Sequence, residues 1–402
     1  MDDNMGSSSD RTSLPLAAEV PEWQHRLWLF CLCTGMLLFF TQVTAFFPVL
    51  PVYLTQRWGP EAPVGLVVGA MAAGLLFFRP WLGMLIDRWG RKPVLWLGLL
   101  IMIAILPLYS WSPTPTWLMA VRVLHGISQA ALATASQTML VDLVAPERRT
   151  AMLGYLAMSN TIGFSLGPLV GSLIYAATNF TTLLTVLMGI TLLGFAVSLP
   201  LPWLKAPAHT SPTQANAAAG FPWQQILSFP VRDATFIFFI SSFLHGGIVT
   251  FLPLFIDNSA QFYSLNALVA IGVRFGLGRW GNRLSARWVV SLGIFCSGTA
   301  LIGLSLMPHL LVIWSIVYGL GFGSLFPVLS AIVSLSAPAA VRGRVYSFFL
   351  AGFDGGMTIG GAGIQPFTAL LPLGSLFTLL GMTGCGVSFI AFRQLRTIAK
   401  PV

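Results

Sequence analysis

Gly83-Met84-Leu85-Ile86-Asp87-Arg88-Trp89-Gly90-Arg91-Lys92, closed by Pro93, joins two apolar stretches that are each too long for an ordinary core helix. A compact loop of three cations and one acid between such stretches is a charged hinge on one face of a membrane. Composition points the same way. Charged residues make up 8% of the 402 and apolar ones 56%, with a mean hydropathy of +0.81, whereas soluble domains carry about 25% charge. The net charge of +9 is spread over short loops and forms no basic face, so the cations orient spans and nucleic acid is not a partner. Cys31, Cys33, Cys296 and Cys385 all lie in apolar stretches. They give no disulfide framework and no metal site, and no cofactor is expected.

The hydropathy pattern predicts an all-α membrane protein with spans near 27–54, 64–85, 94–112, 116–144, 151–177, 180–202, 233–256, 259–277, 288–307, 310–337, 345–371 and 373–392. The eighth is the most dilute, through Gln261, Tyr263, Ser264 and Asn266, as suits a helix lining a wet cavity. The division expected is a tail 1–26, a six-helix bundle 27–204, a linker 205–232 rich in Ala, Pro, Ser, Thr and Gln, a second bundle 233–393 and a tail 394–402. Loop cations such as Arg88, Arg91, Lys92, Arg148, Arg149, Arg279, Arg287 and Arg344 share one parity, and the opposite parity holds only Arg57. By the positive-inside rule both termini and the linker are cytoplasmic. No cleavable leader precedes the first span, and short tails of this kind suit a bacterial inner membrane.

The halves read as copies. Arg79-x-x-x-Gly83 with Asp87-Arg88 matches Arg274-x-x-x-Gly278 with Asn282-Arg283, and the tract from Arg148 to Asn160 matches that from Arg342 to Asp354. Duplicated units of this sort place a substrate site near mid-membrane, between the halves.

Gly83, Leu85, Asp87, Arg88, Gly90, Arg91 and Lys92 fit G-x-L-x-D-R-x-G-R-[KR], and the chain thereby resembles the major facilitator superfamily, in particular its twelve-span drug/proton antiporters. The resemblance implies two pseudo-symmetric six-helix bundles working as a monomer. It also implies that Asp87 and the loop cations gate the cytoplasmic side, with Asp142 as partner. In the fourth span, Arg122 and Gly126 resemble a second motif that the family ties to proton transfer. An arginine inside a span must be paired or wet, and one that cannot deprotonate acts by setting a neighbouring acid or holding an anion. Gly163, Gly167, Pro168 and Gly171 come close to the antiporter signature G-x-x-x-G-P-x-x-G-G, with Ser172 in the last place. Those glycines share one face of a helix, and the proline permits a bend.

Asp354 lies some nine residues beyond the loop cations, deep for a carboxylate, and is the candidate proton carrier, coupled to Arg122 and with His125 as a secondary site. Its repeat mate Asn160 cannot titrate. Substrate contacts are expected from Gln42, Thr44, Asn160, His245, Tyr263, Asn266 and Tyr318, and Phe39, Phe40, Phe46 and Phe47 could form an apolar cage. Gly163-Phe164-Ser165-Leu166-Gly167 spells a hydrolase nucleophile pattern, but inside a continuous apolar helix it lacks the strand and turn that expose the serine. No zinc-protease or nucleotide-binding signature occurs, so no enzyme is expected. The function expected is proton-coupled export of a small amphiphilic compound. Uptake of a sugar or metabolite and a non-transporting ligand sensor are the alternatives.

Overall fold

The computed structural model describes residues 21–145, 148–204, 223–280, 284–338 and 341–395. Residues 1–20 of the expected tail, 205–222 of the linker, 396–402 at the other end and the repeat-loop residues Asn282 and Arg283 lie outside the described residues. The chain folds as an all-α membrane protein, with no strand among the described residues. Twelve long helices follow one another there: α1 Glu22–Trp58, α2 Val64–Trp89, α3 Arg91–Ser110, α4 Pro115–Leu143, α5 Arg149–Ala177, α6 Phe180–Ser198, α7 Val231–Phe255, α8 Ser259–Trp280, α9 Ala286–Leu306, α10 Leu311–Ser336, α11 Arg342–Thr358 and α12 Leu373–Gln394.

Local chemistry sets the ends. Thr114 caps α4 by accepting from the Trp117 amide at 3.2 Å, with Pro115 in the first turn. Asn179 caps α6 by accepting from the Thr182 amide at 2.9 Å. Gly90 separates α2 from α3 at φ 91°, a left-handed value that disfavours side chains, and a Cβ there would stand 2.7 Å from the Leu204 carbonyl. Among the described residues nine helices are long and apolar enough to cross a bilayer, and α2 joins them as a pair of segments, Val64–Arg79 and Trp81–Trp89, bent by 51°. Pro80 between the segments lacks the amide that would hold them in line. The other two are α8, the span diluted by polar residues, and α11.

Two boundaries differ from the hydropathy reading. The eleventh span is α-helical only to Thr358, continues as a π turn over Ile359–Gly363 and then as a 3-10 turn over Gln365–Ala369. A run of small residues keeps mean hydropathy high without holding regular α geometry. Within the expected linker, Trp223–Leu227 forms a short helix and α7 begins at Val231.

The helices sort into two six-helix bundles. One buried apolar cluster draws only on positions 31–201, and two more draw only on 226–395. Within the bundles α5 lies along α1, α4 along α2, and α11 along α7. Between them α5 meets α8, α1 meets α7, and α2 meets α11 with its π turn.

The two ends of that seam differ. On the side away from the 83–92 loop, the Gly65 amide donates to Gln365 Oε1 at 2.5 Å, and a Cβ on Gly69 would lie 2.9 Å from that of Ala362. On the loop side, a Cβ added at Gly83 of α2, Gly154 of α5 or Gly278 of α8 would meet nothing within 4 Å. The bundles touch at one end and part at the other.

Candidate functional site

A cavity of about 180 Å³ lies between the bundles, lined by Arg79, Gln129, Asn160 and Phe164 from the first and by Arg274, Phe322 and Asp354 from the second, among others. Along α4 its wall runs through Gln129, Ala133 and Gln137 at helical spacing, and Gln137, nearest the loop side, is exposed. The mouth therefore faces the parted end of the seam.

Both residue pairs that mark the repeat meet here: Arg79 with Arg274, and Asn160 with Asp354. Arg79 Nη1 lies 3.8 Å from Asp354 Oδ2, an ion pair that joins α2 to α11 across the seam. Its mirror image is not charged on both sides, because Asn160 stands where Asp354 has its carboxylate. Arg274 Nε is buried without a hydrogen-bond partner.

A smaller chamber of about 30 Å³ opens beside the cavity and shares Phe164, Arg274 and Phe322 with it. His245, Tyr263 and Asn266 also line it. His245 stacks on Phe322 at 4.1 Å between centroids, and its Nδ1 is 3.0 Å from the Tyr318 hydroxyl. Tyr263 donates to the Ile248 carbonyl at 3.1 Å. His245 Nε2 and Asn266 Oδ1 are buried with no partner.

Arg122 belongs elsewhere. Fully buried in α4, it donates through Nη2 to the Val68 carbonyl at 3.3 Å, and its Nη1 is 3.4 Å from His125 Nδ1. That ring nitrogen is also 2.9 Å from the Tyr109 hydroxyl, and Tyr109 stacks on Phe46. The expected contact of Arg122 with Asp354 is therefore corrected: in this structure Asp354 meets Arg79, and Arg122 and His125 form a sealed network inside the first bundle. The reason is direction around the helix. Hydropathy gives a residue's depth in a span but not the face it occupies, and Arg122 faces α2 and α3.

Of the expected substrate contacts, Asn160, His245, Tyr263 and Asn266 line the two spaces. Gln42 and Thr44 do not. Gln42 is buried against α3, donating to Met102 Sδ at 3.2 Å, while Thr44 donates to the Phe40 carbonyl of its own helix at 2.8 Å. Tyr318 is buried behind His245 and holds it. Of Phe39, Phe40, Phe46 and Phe47, the candidates for an apolar cage, Phe40 and Phe47 line these spaces and Phe46 packs on Tyr109. Arg79 and Arg274 stand in the sequence as repeat mates, Arg274 also as a possible partner of Asp354, and neither was expected as a site residue. Their signal was the cost of an arginine inside an apolar span, occurring twice at matching positions.

The signature loop is tied within the first bundle. Arg91 Nε donates to Asp142 Oδ2 at 2.6 Å, so the expected acid is engaged, by Arg91. Lys92 Nζ donates to the carbonyls of Leu199 at 2.8 Å and Leu201 at 2.6 Å, and lies 4.9 Å from the centroids of both Trp96 and Trp203. Asp87 and Arg88 are exposed, and Asp87 makes no ion pair or hydrogen bond among the described residues. On α5, a Cβ at Gly163, Gly167 or Gly171 would run into Leu37, Thr41, Thr44 or Ala45 of α1, so that glycine face is the α1 contact. Gly356 and Gly360 press in the same way against Phe239 and Phe243 of α7, a second stripe present in the sequence as Gly352, Gly356 and Gly360. Among the described residues no group of three His, Cys, Asp or Glu side chains gathers to hold a metal, and the four cysteines are free thiols.

The sequence profile of the Major Facilitator Superfamily matches residues 32–360. The staphylopine export protein of Staphylococcus aureus (strain Mu50 / ATCC 700699) is 24% identical over 357 residues, covering 83% of this chain and 87% of that protein. The class D tetracycline resistance protein of Salmonella ordonez is 27% identical over 315 residues, covering 74% and 78%. The crystal structure of a POT family transporter in complex with a thioalcohol-conjugated peptide superposes with a TM-score of 0.73 at 14% identity, covering 92% of this chain and 96% of that one. That likeness concerns the fold.

Proposed function

The chain belongs to the Major Facilitator Superfamily of transporters and not to a family of enzymes, and from that premise we propose that it exports a small amphiphilic compound in exchange for protons. The ion pair between Arg79 and Asp354 carries the reading, because each bundle supplies one partner and the pair lies in the cavity wall. An ion pair at 3.8 Å in a wet cleft is weak, so one proton is enough to undo it. A substrate entering from the loop side competes with the pair and lets the bundles rock outward; there Asp354 takes up a proton from the opposite side, and in that neutral form, which no longer holds Arg79, the bundles return. Loss of the proton on the loop side restores the tie.

The loop side is cytoplasmic in this reading, as the distribution of loop cations supports. Residues 27–204 and 233–393 are the moving bundles, 205–232 the cytoplasmic linker, and the protein works as a monomer in a bacterial inner membrane. The arrangement with the parted seam on the loop side is then the inward-facing state. Asp87, unengaged here, acts when the loop side closes. Likeness to the staphylopine exporter and the tetracycline resistance protein supports outward transport. The Gly163, Gly167, Pro168 and Gly171 face supports antiport through the resemblance that it carries.

The test is proton movement in vesicles of the pure protein under an imposed pH gradient, with a panel of amphiphiles. Wild type is expected to release protons on addition of a substrate, whereas Asp354→Asn and Arg79→Gln fall to background and Arg122→Gln retains coupling. Coupled proton release by Asp354→Asn would refute the assignment.

A further inference from the structure

Resting on the export reading, we infer that the chamber beside Arg274 is an anion subsite and that the compound carried is a monoanionic amphiphile with a carboxylate-type head and an apolar body. Charge is the first ground. The charged residues lining the cavity are Arg79, Arg274 and Asp354, and Asp354 is matched to Arg79. Arg274 remains. A guanidinium keeps its charge in any protein environment, and the buried Nε of Arg274 has no hydrogen-bond partner, which is costly. A ligand anion removes that cost.

Hydrogen bonding is the second ground. The three buried atoms without partners around this chamber are Arg274 Nε, His245 Nε2 and Asn266 Oδ1. The hydroxyl proton of buried Tyr318 needs an acceptor, and among the described residues its partner is His245 Nδ1 at 3.0 Å. We therefore assign the ring proton of His245 to Nε2, which makes that atom a donor into the chamber. The Asn266 amide offers donors after a half turn. Arg274 and His245 alone supply donors enough for both oxygens of a carboxylate, and no acid lines this chamber.

Size and shape are the third ground. About 30 Å³ holds a water molecule or a head group of a few atoms, not a whole substrate. The body of the ligand would extend into the cavity of about 180 Å³, past Phe164 and Phe322 and against Phe238, Phe326 and Phe353. An ammonium head in this chamber would face the Arg274 guanidinium at close range and be repelled.

Binding to the protein in lipid nanodiscs is the test, with a dansylated alkyl chain ending in a carboxylate, in a carboxamide or in an ammonium group. The carboxylate is expected to bind roughly ten-fold more tightly than the carboxamide, the scale of one charge-assisted hydrogen bond, and the ammonium probe more weakly than either. Arg274→Gln should erase the preference of carboxylate over carboxamide, and Arg274→Lys should recover part of it. Equal or weaker binding of the carboxylate by wild type, or no saturable binding of it, overturns the inference without recourse to any variant. A preference that survives in Arg274→Gln overturns it as well. Proton-coupled flux of the ammonium probe without carboxylate binding would refute the anion subsite and leave the export reading intact. Carboxylate preference in a protein that moves no protons would do the reverse.

Discussion

Lys92 shows how one side chain can serve two neighbours at once. Its ammonium closes the end of α6 through two carbonyls and sits between two indole rings, with only 3% of the residue exposed. Lys92→Gln leaves those carbonyls without their charged donor, and a loss of about 2 kcal/mol is expected, read as a lower apparent Tm in detergent. Asp87→Asn, in the same motif, should move Tm very little, because Asp87 is exposed and touches no charged partner among the described residues. Its effect belongs in transport rate. At this scale the sequence disclosed the engaged acid, Asp142, but matched it to the motif as a whole; Arg91 is the residue that meets it. It also disclosed Asp354 as unusual by depth. The arginine beside that acid was not legible, since partners come from packing of helices that a single hydropathy trace treats as separate.

At the scale of helices, small residues decide how close neighbours come. Gly167→Ala would drive a methyl into Thr41 and Thr44 of α1, and a loss of about 1–3 kcal/mol is expected. Gly154→Ala, on the same helix where nothing lies within 4 Å, should be neutral or stabilise by up to about 1 kcal/mol through better helix propensity. Thermal unfolding of the two variants side by side separates packing from propensity, and equal losses would refute the packing account. The glycine spacing on α5 was legible as a packing face, though not that α1 covers it. The matching stripe on α11 was just as visible in the sequence, yet the charged residue inside it drew the reading away. Regular spacing also hid the π turn after Thr358, because helix geometry there yields to contacts with α2 and α7.

For the whole molecule, the asymmetry of the seam makes its own prediction. Gly69→Cys with Ala362→Cys, in a chain whose Cys31, Cys33, Cys296 and Cys385 are replaced, sets two thiols where the built Cβ distance is 2.9 Å, close enough for a bridge after a small adjustment. Oxidation should lock the parted end open to the loop side and stop flux, and reductant should restore it. Undiminished flux from fully bridged protein would show that this end does not open in the cycle. The two-bundle plan was legible because duplicated segments repeat both their charges and their spacing. Which end of the seam is closed was not, since one sequence must encode both arrangements with nearly equal free energy.

That near balance gives the separate cores a further meaning. Among the described residues no deeply buried cluster draws on both halves, and the half-buried Leu254 packs against apolar clusters of each. Deep apolar burial is thus confined within each half, and on the export reading the seam, which lets go in every cycle, contributes only modest association energy. The covalent join between the halves then acts as a tether that sets a high effective concentration. It keeps two weakly attracted bodies in one another's company, so that a contact too feeble to last between free fragments re-forms thousands of times without either partner drifting away in the bilayer.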